Sequence, residues 1–527
     1  MLRTILCHAA PLALLVGCSP VGPNFTGASS PWNPTSWFAG HPTPPPKVAM
    51  SRPVAEPVDA QWWALFHDAE LTSLEQRVAG ANLDVRTASI RLAESRAAFG
   101  IARADLFPNL NGNANYTRQR IARQGAVALF PTTPQSGSGS PGTAANGLGA
   151  TNNAVPNNGA IFEPFNLYQY GFDASWEIDL WGRVRRNVEA AKASAQASAE
   201  QERDTLVTAL GEMARDYVQL RGTQRSIEIT EENLRTAQES LRLTRERAAG
   251  GMTTQLDVAN AAAQVDTVSS QLPTLRAQEV QVINAIAFLL GQPPRSMQTE
   301  LAVVHPIPPV PPKVPVGLPS ELARRRPDIR AAEAQLHEAT ATVGVAVADF
   351  YPSVTLSASM ALQSIATNYL GSWYNAGTYA FGPSLTLPIF EGGRLRRTLE
   401  LRQQQQQEAA VAYQRTVLSA LHEVDNALTA YDAEQQRRHR LAQAVAENQR
   451  AVKLAQERYA QGVSDFLNVL DAERSLLATQ QQLTDSTTAV STDFVQIYKA
   501  LGGGWESTLP ERPVAPEGNG SVFKGML

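Results

Sequence analysis

The sequence predicts a mixed α/β membrane protein in which one structural unit occurs twice in tandem. Three observations carry this prediction: an internal repeat, four segments in which apolar and polar residues alternate, and two long stretches with heptad spacing of apolar residues. The 527 residues have a net charge of −4, and Lys and Arg are not concentrated in one region. This charge distribution argues against a nucleic-acid-binding protein.

The internal repeat spans most of the chain. Residues 83–110 align with 327–354 at an offset of about 244 residues. The identical positions include Asp84, Arg86, Leu92, Glu94, Gly100, Asp105 and Pro108 of the first copy. Two later pairs share an offset of about 211: 182–189 with 393–400, and 245–261 with 456–472. The change of offset places about 35 extra residues in the first copy, in a loop rich in Gly, Ser, Asn and Pro.

The repeats define the predicted domain organisation. We predict a signal peptide at 1–17, an N-terminal segment at 18–60, a first repeat at 61–302, a Pro-rich linker at 303–319, a second repeat at 320–503 and a C-terminal tail at 504–527. The first repeat is predicted to contain strands at about 109–118 and 168–181, the loop 119–167, and helices at 71–106, 183–249 and 252–290. The second is predicted to contain strands at about 353–363 and 378–390, and helices at 320–350, 394–460 and 464–501. The two Pro-rich segments cannot form helix interiors, and together with the tail they are predicted to form a collar.

The four predicted strands place their apolar side chains on one face, as Tyr170, Phe172 and Trp176 illustrate. A water-soluble sandwich is the alternative, but the sequence has no further strand-rich segment to cover that face. Beyond the N-terminus no apolar run reaches about 18 residues, so strands must make any membrane crossing. Four strands cannot close a membrane barrel, since the smallest have about eight. A homotrimer supplying twelve strands is therefore predicted.

The long helices carry apolar residues at heptad spacing, which imposes left-handed supercoiling. In the first copy these residues are Leu206, Leu210, Met213, Tyr217 and Leu220, and in the second Val417, Leu421, Val424, Leu428 and Tyr431. The helix at 183–249 would be about 100 Å long and would turn at Gly250 and Gly251. A cytosolic coiled coil is the alternative, but it leaves the alternating strands and the N-terminal signal unexplained.

The N-terminus has the features of a secretory signal. One positive charge and an apolar stretch precede Leu15-Val16-Gly17-Cys18, which matches the lipobox of bacterial lipoproteins. This resemblance implies a covalent lipid on Cys18, and Ser19 at the next position implies an outer-membrane address. An ordinary signal peptide or hydrophobic anchor with an incidental cysteine is the alternative, consistent with Pro11 and the single charge.

No catalytic residue or metal site is predicted, and the only expected prosthetic group is the lipid on Cys18. His337-Glu338 and His422-Glu423 begin like the zinc-binding motif of metalloproteases, but the second histidine of that motif is missing in both. The sequence therefore predicts a protein that is not an enzyme.

Several segments together resemble the TolC-like outer membrane efflux proteins, specifically the lipoprotein (NodT/OprM-like) branch that serves RND-type tripartite pumps. They are VGPNF after Cys18, WWALFHDAEL (62–71), WEIDLWGR (176–183), LARRRPDIRAAEAQL (322–336) and the two turn motifs at 245–261 and 456–472. The resemblance implies a lipid-anchored homotrimer whose twelve-stranded barrel lies in the outer membrane and continues into a periplasmic helical tunnel. It further implies a periplasmic membrane-fusion adaptor and an inner-membrane RND-type pump as partners, with drugs or other small molecules conducted passively.

The resemblance also assigns roles to the two turn motifs. Arg247, Gly251 and Asp257 match the family pattern R-x-x-x-G-x-x-x-x-x-D, and Arg458 and Gly462 match its first part. These two arginines and two glycines are implied to lie at the periplasmic tip, where the adaptor docks. Simple turn chemistry is the alternative for the glycines, because a chain reversal often requires positive φ.

The remaining site predictions concern gating of the tip. Asp471 is the candidate for an acidic ring at the aperture, with an exposed helix residue as the alternative. Asp257 and Tyr459 match two members of the family's lock, but Ser464 stands where its arginine is expected, and Asn468 replaces the second motif's Asp. A closed state held differently, or more weakly, is therefore expected.

Two other functions fit parts of the pattern. An exit duct for a type I protein secretion system would use the same architecture, although the lipobox and the Pro-rich linker favour the pump-linked branch. A lipid-anchored periplasmic coiled-coil scaffold without a pore is the second rival.

Overall fold

The structure is a computed structural model that describes residues 19–28, 32, 50–120 and 164–509. The predicted signal peptide, Cys18, most of the loop 119–167 and the tail beyond residue 509 lie outside these ranges. The chain divides into two compact units. The first comprises the described residues of Met1–Asn24, Phe99–Glu189 and Ala341–Gln403, and the second those of Phe25–Ala98, Ala190–Thr340 and Gln404–Leu527.

The described residues contain six strands and eight longer helices. The strands are β1 (Arg52–Val54), β2 (Asn109–Gln119), β3 (Phe165–Ile178), β4 (Lys313–Pro315), β5 (Ser353–Ser364) and β6 (Gly377–Thr386). The helices are α1 (Ala69–Ala81), α2 (Leu83–Ala104), α3 (Arg183–Ala249), α4 (Gln255–Ser269), α5 (Gln271–Leu289), α6 (Pro327–Ala348), α7 (Arg394–Ala460) and α8 (Phe466–Ala500). Short helical turns lie at Trp62–Phe66, Gln298–Leu301, Pro319–Glu321, Leu322–Arg325, Thr367–Tyr369 and Trp373–Ala376. No helix among the described residues combines the length and apolar character needed to cross a membrane.

The first unit is built on a four-stranded antiparallel sheet in the order β2-β3-β5-β6. Its central pairing joins the two repeats, since β3 belongs to the first and β5 to the second. Phe172 pairs with Met360, and Met360 pairs with Tyr379, so apolar side chains from three strands share one face. Polar residues occupy the opposite face, where Asp173 pairs with Ser359.

The second unit buries the heptad residues of both long helices in one hydrophobic core. Leu206, Leu210, Met213 and Tyr217 of α3 are buried, as are Val417 and Val424 of α7 and Phe494 of α8. Aromatic side chains next to the Pro-rich segment complete this core. Trp62 stacks on Tyr498 with ring centroids 5.5 Å apart, and Phe66 meets Phe494 edge-on at 4.9 Å.

Parts of the predicted collar segments pair with each other in the second unit. Strand β1 runs parallel to β4, with Pro53 opposite Val314. The linker also contacts α8, because the Ser491 hydroxyl donates to the Pro308 carbonyl at 2.8 Å. A complete collar stays a prediction.

Three of the predicted helices differ from those of the structure. The helix predicted at 71–106 is two helices separated at Asn82, whose ψ of 129° ends α1. The Asn82 side chain then caps α2 by accepting hydrogen bonds from the amides of Asp84 at 2.9 Å and Val85 at 3.1 Å. It also donates to the Leu289 carbonyl at 3.0 Å, a tertiary contact that the sequence did not indicate.

Proline explains the other two differences. The helix predicted at 252–290 begins at Gln255 and breaks at Ser270, because Pro273 has no amide to donate to the Ser269 carbonyl. The helix predicted at 320–350 runs only from Pro327 to Ala348, preceded by two short turns, because the residue before a proline disfavours helical geometry. That residue, Arg326, is extended with a ψ of 121°.

Candidate functional site

The two predicted turn motifs have the same backbone geometry. In the first, the Gly251 amide donates to the Ala248 carbonyl at 3.0 Å and the Met252 amide to the Arg247 carbonyl at 2.9 Å. This pair of bonds defines a Schellman helix ending, which requires positive φ at the glycine. Gly251 has φ 70°.

The second turn repeats this ending at the end of α7. The Gly462 amide donates to the Tyr459 carbonyl at 2.9 Å and the Val463 amide to the Arg458 carbonyl at 3.0 Å. Gly462 has φ 78°. Turn chemistry therefore explains why both positions are glycine, because positive φ is strained for any residue with a Cβ, and adaptor docking at these turns stays a prediction.

Asp257 caps its own helix. Its carboxylate accepts hydrogen bonds from the Thr253 hydroxyl at 2.6 Å, the Thr254 hydroxyl at 2.9 Å and the Thr254 amide at 3.1 Å. Thr254 in turn accepts from the Asp257 amide, which completes a capping box at the start of α4. The bond from Thr253, supported by those from Thr254, lowers the pKa of Asp257.

Most predicted residues of the second turn are exposed. The Asn468 amide group donates to the Ser464 hydroxyl at 2.9 Å, and Ser464 lies two residues before α8 begins. Arg458, Asn468 and Asp471 are all exposed in the single chain. Tyr459, in contrast, is 5% exposed and meets the ring of Phe466 edge-on at 5.5 Å.

The structure does not join the two predicted members of the lock. The hydroxyl of Tyr459 is buried without a hydrogen-bond partner, and the carboxylate of Asp257 is occupied by Thr253 and Thr254. Asp257 and Tyr459 therefore do not bond to each other within the single chain, and their role in gating stays a prediction.

Arg247 makes a polar contact that joins the two turns. Its guanidinium donates to the carbonyl of Tyr459 and, at 3.2 Å, to the carbonyl of Ala460. The same group lies 4.5 Å from the centroid of the Tyr459 ring. Sequence reasoning missed this contact, because Arg247 and Arg458 are equivalent in the repeat and nothing local distinguishes them.

A groove of about 580 Å³ lies beside this contact, between the ends of α3 and α7 and the start of α8. Its apolar wall comprises Leu243, Tyr459, Ala460, Phe466 and Val469. Charged side chains at its edge include Arg235, Glu239 and Glu457. Within the described part of the chain, no group of three or more His, Cys, Asp or Glu residues is arranged to hold a metal ion.

A family model described as outer membrane efflux protein matches residues 74–292 and 318–503. The chain belongs to this family. The two matched segments correspond to the two repeats of the sequence, and both turns lie inside them.

Known members of the outer membrane efflux protein family align along nearly the whole chain. ArpC of Pseudomonas putida, an antibiotic efflux pump outer membrane protein, is 31% identical over 513 residues, 96% of each chain. OpmQ of Pseudomonas aeruginosa, a pyoverdine export outer membrane protein, is 34% identical over 449 residues, 85% of this chain and 88% of its own. The solved structure of the outer-membrane channel OprN superposes with a TM-score of 0.78 at 30% identity, covering 92% of this chain and 99% of that one.

This outer membrane efflux protein is therefore a channel of the outer membrane and catalyses no reaction. The sequence-based predictions of the family, the location, the channel function and the absence of enzymatic activity are confirmed. The predicted lipid site at Cys18 lies outside the described residues.

Proposed function

We propose that three copies of this outer membrane efflux protein form the exit duct of a tripartite pump, with a twelve-stranded barrel in the outer membrane. The sheet of the single chain supports this proposal. Strands β2 and β6 are its two edges, and they point in opposite directions, so β6 of one copy can pair antiparallel with β2 of the next. Three four-stranded sheets joined in this way close a barrel and leave no free edge.

The exposure of the apolar sheet face supports a lipid-facing exterior. Phe381 is 80%, Tyr379 72% and Leu110 67% exposed in the single chain. Apolar side chains this exposed are costly in water and favourable against lipid. The opposite face, with Asp173, Ser357 and Ser359, is suited to a water-filled bore.

The two 67-residue helices support a periplasmic tunnel in the proposed trimer. Each of α3 and α7 is about 100 Å long, which far exceeds the thickness of a bilayer. Their turns, at Gly251 and Gly462, form the end of the duct that faces the cell interior. We place the contact with a periplasmic membrane-fusion adaptor there, and with it the link to an inner-membrane RND-type pump. Asp471, exposed on α8, is the proposed residue of the acidic ring.

Small molecules are the proposed cargo, and the inner-membrane partner supplies the energy. The names of ArpC and OpmQ, which refer to antibiotics and to pyoverdine, support this class of substrate. We further propose that Cys18 carries the covalent lipid, because several acyl chains on one residue make a stable anchor. Mass spectrometry of the mature N-terminus, in wild type and in Cys18→Ala, tests this assignment directly.

Detergent-solubilised protein imaged as single particles by electron microscopy tests the trimeric duct. We expect a threefold particle much longer than wide, and discrete conductance steps after insertion into planar bilayers. A thin rod without conductance would reject the duct in favour of a coiled-coil scaffold. Co-purification with a secretion ATPase in place of an RND-type pump would reassign the duct to type I protein secretion.

A further inference from the structure

The contact between Arg247 and the end of α7 joins the two repeats at their turns. Arg247 lies in the last turn of α3, three residues before Gly250, and Tyr459 and Ala460 are the last two residues of α7. The guanidinium donates to both of their carbonyls, at 3.2 Å in the case of Ala460. A side chain of the first helical hairpin therefore caps the long helix of the second.

Three favourable interactions coincide at this position. The last carbonyls of an α-helix have no partner within the helix, and a cation there also interacts favourably with the negative end of the helix dipole. The flat guanidinium stacks on the Tyr459 ring at 4.5 Å, which adds a cation–π interaction. Tyr459 is buried, so solvent screens these interactions little.

The repeat makes the asymmetry of this contact informative. Arg458 occupies the position in the second hairpin that Arg247 occupies in the first, and both turns have the same backbone geometry. Yet Arg458 is exposed, whereas Arg247 is partly buried against Tyr459. Of the two equivalent arginines, Arg247 therefore contacts the other hairpin, and Arg458 is a natural control for the effect on hydrogen exchange.

We propose that Arg247 is the gating residue of this channel: it fastens the end of the second hairpin to the end of the first, so that the two turns of one chain move together. It does so through backbone carbonyls and the face of the Tyr459 ring, with no use of the Tyr459 hydroxyl or of Asp257. Loss of this contact loosens the second turn, which the apolar cluster of Leu241, Tyr459 and Phe466 alone then holds less firmly, and widens the aperture. The effect on conductance rests on the proposed duct, whereas the fastening itself does not.

Hydrogen exchange of the full-length protein in detergent tests the fastening without reference to transport. In Arg247→Gln we expect the amides of residues 459–466 to exchange about tenfold faster or more, because charged hydrogen bonds that hold the turn are lost. In the matched variant Arg458→Gln we expect less than a twofold change. Equal acceleration in both variants, or none in Arg247→Gln, would overturn the proposal.

Two further variants separate the fastening from general damage. If Arg247→Gln destabilises the whole chain, hydrogen exchange around Trp62 and Phe494 will rise as well. Arg247→Lys then shows whether the effect is specific to the second turn. Lysine keeps the charge but stacks poorly on the Tyr459 ring. We therefore expect faster amide exchange only at residues 459–466, and a smaller increase than in Arg247→Gln. Tyr459→Phe keeps the ring, so its amides should exchange as fast as those of wild type. Faster exchange in Tyr459→Phe would instead support a gating contact made by the Tyr459 hydroxyl.

Single-channel recording then tests gating. We expect Arg247→Gln to raise the mean conductance at least twofold. We expect Arg450→Gln, at an exposed arginine of α7 outside the proposed docking site, to leave it unchanged. An unchanged conductance in Arg247→Gln, with faster exchange at 459–466, would reject gating but retain the fastening. If neither wild type nor the variants conduct, the proposed duct is wrong. The hydrogen-exchange data then test by themselves whether Arg247 holds the second turn.

Discussion

The Arg221 guanidinium donates to the Glu70 carboxylate at 2.6 Å, and the arginine side chain has no solvent exposure. It also donates to the Val303 carbonyl at 2.7 Å and to the Gln224 side chain at 2.8 Å. Its charge lies 4.7 Å from the centroid of the Tyr217 ring. Arg221 thus ties the long helix α3 to the start of α1 and to the Pro-rich linker.

Substitution of Arg221 is expected to destabilise the protein strongly. Arg221→Ala leaves Glu70 and the Val303 carbonyl without their partner, and breaking a buried ion pair costs about 3–5 kcal/mol. The exposed pair between Arg225 and Glu228 on the same helix is the control, and Arg225→Ala should cost less than about 1 kcal/mol. Urea unfolding of the detergent-solubilised variants measures both. Similar losses in the two variants would show that the Arg221 network contributes no more than a surface pair.

Glu75 is expected to make stability fall as pH rises. Its side chain is completely buried, and neither carboxylate oxygen has a hydrogen-bond partner. Burial raises the pKa of Glu75 well above the usual value of 4.5. Between 4.5 and that raised pKa, the folded protein keeps a proton that the unfolded chain has released. The unfolding free energy therefore decreases with pH in this window, by at most about 1.4 kcal/mol per pH unit, and is constant above it.

Glu75→Gln removes the ionisable group and serves as the test. We expect this variant to be more stable than wild type at pH 8, with a difference that shrinks toward pH 4. Unfolding by urea at a series of pH values measures the difference, and the expected sign is a larger difference at higher pH. A difference that does not depend on pH would mean that Glu75 has the same pKa in the folded and the unfolded protein, as a solvated carboxyl group would.

Local periodicity explains how much of the fold the sequence could predict. Alternation in the segment containing Tyr170, Phe172 and Trp176 depends only on strand geometry, and the structure places all three in β3. Heptad residues such as Leu206 and Val417 similarly lie in the core. The internal repeat added the long-range information, since it required both halves to have the same order of elements.

The features that the sequence could not predict depend on tertiary contacts. Asn82 ends one helix and caps the next while it bonds to Leu289, which is more than two hundred residues away along the chain. Arg247 and Arg458 have equivalent surroundings in sequence, yet the fold brings only Arg247 to the neighbouring turn. Propensities and motifs describe a residue and its neighbours in sequence, so they cannot distinguish such cases.

Gly251→Ala is expected to weaken the first turn through backbone strain alone. A Cβ at this position would meet no atom within 4 Å, but the φ of 70° is unfavourable for alanine by about 1–2 kcal/mol. Gly80→Ala is the control, because Gly80 lies within α1 with equally open space and should gain about 0.5–1 kcal/mol in helix propensity. Hydrogen exchange at residues 247–255 and the unfolding midpoint report the two effects. An unchanged exchange rate in Gly251→Ala would indicate that the turn relaxes to negative φ.

Gly222 is expected to set the close approach of α3 and α8. A Cβ there would lie 2.3 Å from the Thr488 hydroxyl oxygen and 2.9 Å from its methyl carbon, so Gly222→Ala forces the helices apart. Such overpacking costs about 1–3 kcal/mol, whereas Gly211→Ala on the same helix meets only the flexible side chain of Lys499 and should be nearly neutral. Thr488→Ala removes the two clashing atoms. Combined with Gly222→Ala it should recover at least about 1 kcal/mol in urea unfolding, as a positive coupling in a double-mutant cycle. If the losses of unfolding free energy in Gly222→Ala and Thr488→Ala simply add, the destabilisation arises within α3 and not from its contact with α8.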